Sequence, residues 1–267
     1  QLEAVVNEIG LLPFWSSGFP GYSLAEMTAP GYWFEDGVDG AWEWREELAG
    51  GGRIAYGKLF RNKAGFVSMD WYPDLCNYRR DGYDFDARYD DGLASRRCKL
   101  IMDALVKNGP LLTHEIKRCA GFGGDGEKGF EAALSILQMQ TYITVKEFVY
   151  KRDKYGKPYG WGVGRYALAE DVFGEEVTTG KYETEPSASR DAIAAHLSSL
   201  LPDADITTIH KFITSVCQGA HCALFSFSSA SNSALSVVII WDSVFEVFTM
   251  TGTLLLLLDI SASPRSN

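Results

Sequence analysis

The sequence predicts an α+β protein, and three observations lead there. Between Ser95 and Leu137 three segments carry apolar residues at helical spacing. From Tyr142 to Leu168 the period changes to the alternation of β-strands. Ahead of both, residues 14–89 are dense in tryptophan, tyrosine and phenylalanine, the composition of a small core built from rings.

Taken in order, Val5–Trp15 reads as a short helix ending at Pro13 or soon after, followed by the turn SGFPGYS and a second short apolar piece, LAEM. Arg53–Phe60 and Gly65–Met69, joined by RNKA, read as a β-hairpin over which Trp71, Tyr72 and Leu75 close. The same aromatics could line a pocket for a flipped base, but core packing explains them without a ligand. The stretch DGYDFDARYDDG holds Asp81, Asp84, Asp86, Asp90 and Asp91 without the spacing of an EF-hand loop. It reads as a solvated acidic loop, or one that pairs with Arg79 and Arg80.

Ser95 caps a helix that runs to Asn108, with Leu100, Ile101, Ala104 and Leu105 on one stripe and Gly109-Pro110 as its stop. A second helix starts at Thr113 as cap and continues to Gly121. In the third, Phe130, Ala133, Leu134 and Leu137 face inward, leaving Lys128, Glu131 and Ser135 outward. Tyr142–Tyr150 and Trp161–Leu168 then form a hairpin around DKYGKPYG. Three helices followed by a hairpin is the order of a winged helix, whose third helix can enter a major groove while the wing lies along phosphates.

Charge points the same way. The chain carries 25 Lys and Arg against 35 Asp and Glu, which taken alone argues against a nucleic-acid partner. Residues 95–165 depart from that average, with thirteen basic and seven acidic side chains and a net charge of +6, while the segments on either side each carry −8. A basic island in an acidic chain is a partner surface, and double-stranded DNA is the expected partner. The candidate contacts are Arg96, Arg97, Lys117, Arg118 and Lys128 on the helices and Lys151, Arg152, Lys154, Tyr155, Lys157 and Arg165 on the wing. Tyr155, Tyr159 and Trp161 interleave with the wing cations and supply flat faces for stacking on exposed bases.

After the wing, residues 171–188 are acidic and carry Gly, Thr and Pro, as a linker does. Residues 189–216 read as a short helical hairpin around Pro202-Asp203, with Ile193, Leu197, Leu200 and Leu201 on one face and His196 and His210 flanking it. The expected organisation is therefore an aromatic-rich region over 1–94, a winged helix over 95–170, the linker, the helical hairpin and an apolar tail over 217–267. In that tail Val237–Leu258 is long enough to span a membrane, but Asp242 and Glu246 lie inside it, and an Asp near a helix centre costs ~2.5–3.5 kcal/mol on insertion scales. Two strands around Thr251-Gly252 fit the same residues, as does a tail that is not native coding sequence.

Five cysteines, widely spread and without a CxxC pair, argue against a disulfide framework and for reduced thiols in a cytoplasm. Cys217, His221 and Cys222 fall one ligand short of a structural zinc site, so neither metal nor cofactor is expected. The first ten residues have acidic rather than basic flanks, unlike a signal peptide.

Three segments carry a resemblance: NGPLLTHEIK (108–117), KGFEAALSILQ (128–138) and GRYALAEDVF (164–173). They resemble the AlkZ/YcaQ-type family of bacterial winged-helix DNA glycosylases. That resemblance implies tandem winged helices that cradle duplex DNA and excise alkylated or crosslinked bases without a metal. It also implies a catalytic signature of glutamine, an apolar residue, and then glutamine or aspartate, which positions water at the glycosidic carbon. Gln138-Met139-Gln140 has that form. In the family the signature lies in the first winged helix near the N-terminus, whereas these glutamines end the third helix of a later one. Both side chains can reach one water only if the helix ends near Gln138. A transcriptional regulator using the same fold, and a non-catalytic protein-docking module, are the alternatives.

Overall fold

Local signals set the first elements. A computed structural model describes residues 1–33 and 39–214, together with the backbone of two strands between 236 and 249. Helix α1 (Leu2–Ile9) stops at Gly10, whose φ of 83° is a conformation that favours glycine. The apolar run then becomes a strand, β1 (Leu11–Pro13), so the expected helix over Val5–Trp15 is cut in two. α2 (Leu24–Met27) is capped by Ser23, and a 3₁₀ turn at Pro30–Tyr32 leads toward α3 (Ala41–Gly50). β2 (Ile54–Phe60) and β3 (Lys63–Ser68) form the expected hairpin, turning at Arg61 and Asn62 with φ of 48° and 68°. β1 joins as a third antiparallel strand in the order β1-β3-β2, a pairing that three residues could not announce in the sequence.

α4 (Tyr72–Arg80) and α5 (Phe85–Asp90) follow. The acidic stretch is thus partly helical, with Asp84 as the cap of α5. Arg79 and Arg80 are buried and pair elsewhere, not with its aspartates. α6 (Arg96–Asn108), β4 (Leu111–Leu112), α7 (Thr113–Cys119), α8 (Phe130–Met139), β5 (Ile143–Arg152) and β6 (Pro158–Leu168) match the expected three helices and hairpin closely. Ser95 caps α6 as expected, whereas α7 is capped by Leu112, whose backbone N–H donates to Glu115 at 2.8 Å. The second sheet has the antiparallel order β4-β6-β5.

Residues 171–188, expected as a linker, carry the end of α9 (Ala169–Phe173) and all of α10 (Glu175–Thr179). They are tied down: Lys181 bonds Asp74 at 2.6 Å, and the Asn77 amide donates to Thr184 and Ser189. α11 (Pro186–Leu200) and α12 (Ile206–Ile213) form the expected helical pair, and their faces close over the first sheet, with Phe212 stacked on Phe60 at 4.7 Å. His196 stacks on Trp71 and bonds the Ile9 carbonyl oxygen at 2.8 Å.

Two hydrophobic clusters fill the first of two compact units, Gln1–Ala223. One joins Val6, Leu12, Phe14 and Phe66 to Ile101, Leu105, Leu134, Leu137 and Tyr166, so residues on both sides of position 95 share a core. The other joins Leu11, Leu59 and Leu75 to Ile193, Leu197 and Ile209. In the second unit, Leu224–Asn267, β7 (Ser236–Trp241) pairs antiparallel with β8 (Val244–Thr249). The expected turn at Thr251-Gly252, and Cys217, His221 and Cys222, lie outside the described residues. Among the described residues no helix is long and apolar enough to cross a membrane.

The joint between the two sheets is the C-terminal end of α8. Thr141 has a φ of 63°, a left-handed conformation costly for a β-branched residue, and the chain there makes a Schellman pair: Tyr142 N to Leu137 O and Thr141 N to Gln138 O. Arg79 Nη1 donates to the Met139 carbonyl at 2.9 Å. Arg80 donates to the Thr141 hydroxyl and carbonyl oxygens and pairs with Glu170. Replacing Arg80 with Met should therefore lower stability by about 3 kcal/mol in urea denaturation at neutral pH, since a buried cation's partners lose their bonds together. Burial also raises the phenol pKa of Tyr22, Tyr56, Tyr72, Tyr142 and Tyr166. Their contribution to stability is complete below ~10, the unfolded tyrosine value. It is lost as pH rises through the higher folded values, so alkaline titration should show unfolding coupled to tyrosinate absorbance.

Candidate functional site

The hairpin β5–β6 extends beyond the core and ends in the loop Asp153–Lys157. Asp153 Oδ1 accepts from the backbone N–H of Tyr155 at 2.8 Å and of Lys157 at 2.9 Å, while Arg152 Nη1 donates to the Gly156 carbonyl at 2.8 Å. A side-chain-braced turn of this kind presents its other side chains in fixed directions. Tyr155 is 82% exposed, Tyr159 and Trp161 each 53%, and Lys151, Arg152, Lys154 and Lys157 are all exposed. Lys154 lies over the Tyr155 ring at 4.9 Å.

The other predicted basic residues are placed differently. Arg96 and Arg97 both bond Glu127 at 3.0 Å, Lys117 bonds Glu131 at 2.9 Å, and Arg165 bonds Glu147 at 3.1 Å. Arg118 and Lys128 are exposed on the helical side. None of the ion pairs among the described residues involves Lys151, Arg152, Lys154 or Lys157. The basic island thus separates into a base whose charge is largely answered from within and a tip whose charge is not.

The third helix departs from its expected exposure. Ser135 is buried, Glu131 is half-buried, and Ala132 is the one exposed residue of α8. β2 covers the face expected to be outward: Lys58 Nζ reaches Ser135 Oγ at 3.3 Å. Gly57 lies so close that a Cβ there would come within 3.2 Å of Gln138 Oε1. Burial pushes the Lys58 ammonium below the usual lysine range, and the Glu131 carboxylate partly offsets this. The signal for this contact in the sequence is faint: one lysine inside an otherwise apolar strand.

Gln138 and Gln140 are both buried. The Gln138 amide is engaged at each end, its Oε1 accepting from Lys58 N at 3.0 Å and its Nε2 donating to Leu134 O at 3.2 Å. The helix runs past Gln138 to Met139, with Gln140 as its C-cap. The two side chains therefore leave the backbone from different positions around a helix end, because residues two apart do not share a helical face. Among the described residues no group of three or more His, Cys, Asp or Glu side chains is placed to hold a metal ion.

The tip connects to the aromatic region through Trp161, which meets Trp42 edge-on at 5.8 Å. Trp42 in turn contacts Phe14 and Trp15, and Trp15 stacks on Trp33 at 5.6 Å. Arg45 is buried between the Trp42 and Phe148 rings at 4.4 and 4.0 Å, and Glu46 receives both Arg45 and the Tyr150 hydroxyl.

The model of a family described as AlkZ related matches residues 1–214. The chain belongs to the AlkZ-related family. The match includes the aromatic region and α11–α12 as well as the three motif segments, so the matched region takes in both sheets. No curated protein and no solved structure matched the chain. Within this family member Gln138 is wired into the joint between α8 and β2. Replacing Gln138 with Ala should cost about 1–3 kcal/mol, the range for leaving a buried group, here the Lys58 N–H, without its partner, and urea denaturation would read it.

Proposed function

We propose that this AlkZ-related protein binds double-stranded DNA in the cytoplasm through a winged-helix module formed by residues 95–170, with the β5–β6 hairpin as the contacting wing. The observation that carries the proposal is the hairpin tip, where Lys151, Arg152, Lys154 and Lys157 are all exposed and none has a carboxylate partner among the described residues. Cations in that state release counterions on meeting phosphate, which is the main source of affinity for a duplex. Arg96, Arg97, Arg118 and Lys128 extend the positive surface on the helical side. The pairs that hold the first two are exposed and weak enough to exchange for phosphate.

Excision of an alkylated or crosslinked base is the finer part of the proposal. Family membership and the Gln138-Met139-Gln140 signature support it. Gln138 holds α8 to β2, and Gln140, which makes no side-chain hydrogen bond among the described residues, is in this reading the member of the pair that meets water. A sequence-reading regulator has less support, because such a protein inserts an outward helix face into the major groove and α8 has its corresponding face packed under β2.

One experiment addresses both parts: binding and base release measured together on undamaged and alkylated duplexes across a salt series. The full chain should bind with a steep salt dependence. Changing Lys151, Arg152, Lys154 and Lys157 to Ala should reduce the slope of log K against log salt by about 3 to 4. Release of the modified base would establish the glycosylase, binding without release would leave a DNA-binding protein, and no binding at low salt would remove the whole proposal.

A further inference from the structure

We propose that Trp161, projected by a bulge in β6 and backed by Trp42, is a stacking site for an unpaired nucleobase of the bound nucleic acid. The inference rests on the DNA-binding reading and adds to it the feature of the strand that is recognised.

The register of the hairpin is the first observation. Val149 pairs with Val163 and Lys151 with Tyr159, so over this interval β5 advances two residues and β6 four. The surplus falls on Gly160-Trp161-Gly162. Bulges bend a strand and re-aim the side chain they carry, and they recur next to binding sites. Both glycines have steric reasons. Gly160 has a φ of 76°, and a Cβ on Gly162 would come within 3.1 Å of the Phe148 Cβ and the Tyr150 ring. The backbone is thus pressed against β5 on one side while the indole between the glycines is sent outward.

The second observation is the support behind that indole. Trp161 is half exposed and rests edge-on against Trp42, which is itself held by Phe14, Trp15 and the Arg45 guanidinium. A ring held this way has few orientations to lose on binding, which favours stacking. An indole that served only as a lid on the aromatic core would need no two-residue bulge and would gain by burying more of its surface.

Charge complementarity selects the occupant. Lys151, Arg152, Lys154 and Lys157 lie on the same hairpin, so a ring bound at Trp161 would come attached to a backbone that these cations neutralise. The nearby Glu46 carboxylate is occupied by Arg45 and Tyr150, and Glu43 accepts from Gly40 N at 2.9 Å. A nucleobase offers its π-face only when it is unstacked, whereas in an intact duplex both faces are covered. Trp161 therefore distinguishes interrupted or opened DNA from continuous duplex, while the tip cations bind both.

The test compares three end-labelled DNAs by fluorescence anisotropy with the full chain: a continuous duplex, the same duplex with a short single-stranded gap, and the single strand. The wild-type protein should bind the gapped duplex more tightly than the continuous one. Trp161→Ala should lose about tenfold on the gapped duplex and on the single strand, with the continuous duplex and its salt slope nearly unchanged. Trp161→Phe, which keeps a ring against Trp42, should retain most of the preference, and thermal melting of both variants reports whether the hairpin still packs. Equal wild-type affinity for gapped and continuous duplex overturns the inference and leaves DNA binding intact. So does an equal loss on both DNAs in a Trp161→Ala protein that melts normally. Absence of wild-type binding to all three DNAs removes the DNA-binding reading and this inference with it.

Discussion

A helix end leaves its last carbonyl groups without intrahelical partners, and the way α8 satisfies its own organises the rest of the molecule. Ile136 O, Leu137 O and Gln138 O are taken by the backbone N–H groups of Gln140, Tyr142 and Thr141. Met139 O is taken by Arg79, and Thr141 O by Arg80 with the Tyr72 hydroxyl more distant at 3.4 Å. The cost of holding Thr141 in a left-handed conformation is of the order of 1–2 kcal/mol. Arg80 offsets it by bonding both oxygens of that residue. α4, α8 and β5 consequently meet at one place, with Glu170 of α9 answering the Arg80 charge. Arg79 has no carboxylate among its bonds: burial lowers its pKa to about 10, and its Nη2 donates to Ile213 O at the end of α12. Two adjacent arginines thus close the ends of two helices drawn from distant parts of the chain.

That joint changes the meaning of the glutamine signature. A side-chain amide buried beside a bulged strand needs both ends bonded, and without it the Lys58 N–H of the strand would lose its partner. Gln138 meets that requirement by bridging Leu134 O and Lys58 N. Close approach of the two elements depends on Gly57, and the β2 bulge that follows it brings Lys58 toward Ser135. The third helix becomes a central element surrounded by packing, not a probe presented to solvent.

With α8 enclosed, the proposed contact surface falls on the hairpin. Its inner half packs on α3 through Phe148, Arg45 and Tyr150, and its outer half carries charge that no carboxylate among the described residues answers. The Asp153 side chain keeps the tip in one turn geometry, which spares some of the ordering entropy that a flexible basic loop would lose on binding.

Much of this was legible in the amino-acid order, because it depends on neighbours within a few residues. Apolar spacing marks α6, α7 and α8, alternation marks β2, β3, β5 and β6, and counting charges by segment isolates the basic island. What only the tertiary structure decided is everything that requires two distant segments to meet. β1 is a strand because β3 offers it an edge. Residues 171–188 are ordered because Asp74 and Asn77 hold them. Arg79 and Arg80 turn inward because helix ends need donors, although the nearby aspartates suggested surface pairs. The outward face of α8 is buried because Gly57 lets β2 come close, and Trp161 is singled out by a register shift. None of these leaves a periodicity in the sequence, since a hydrogen bond between residues 58 and 138 constrains geometry at both ends without constraining the pattern of either.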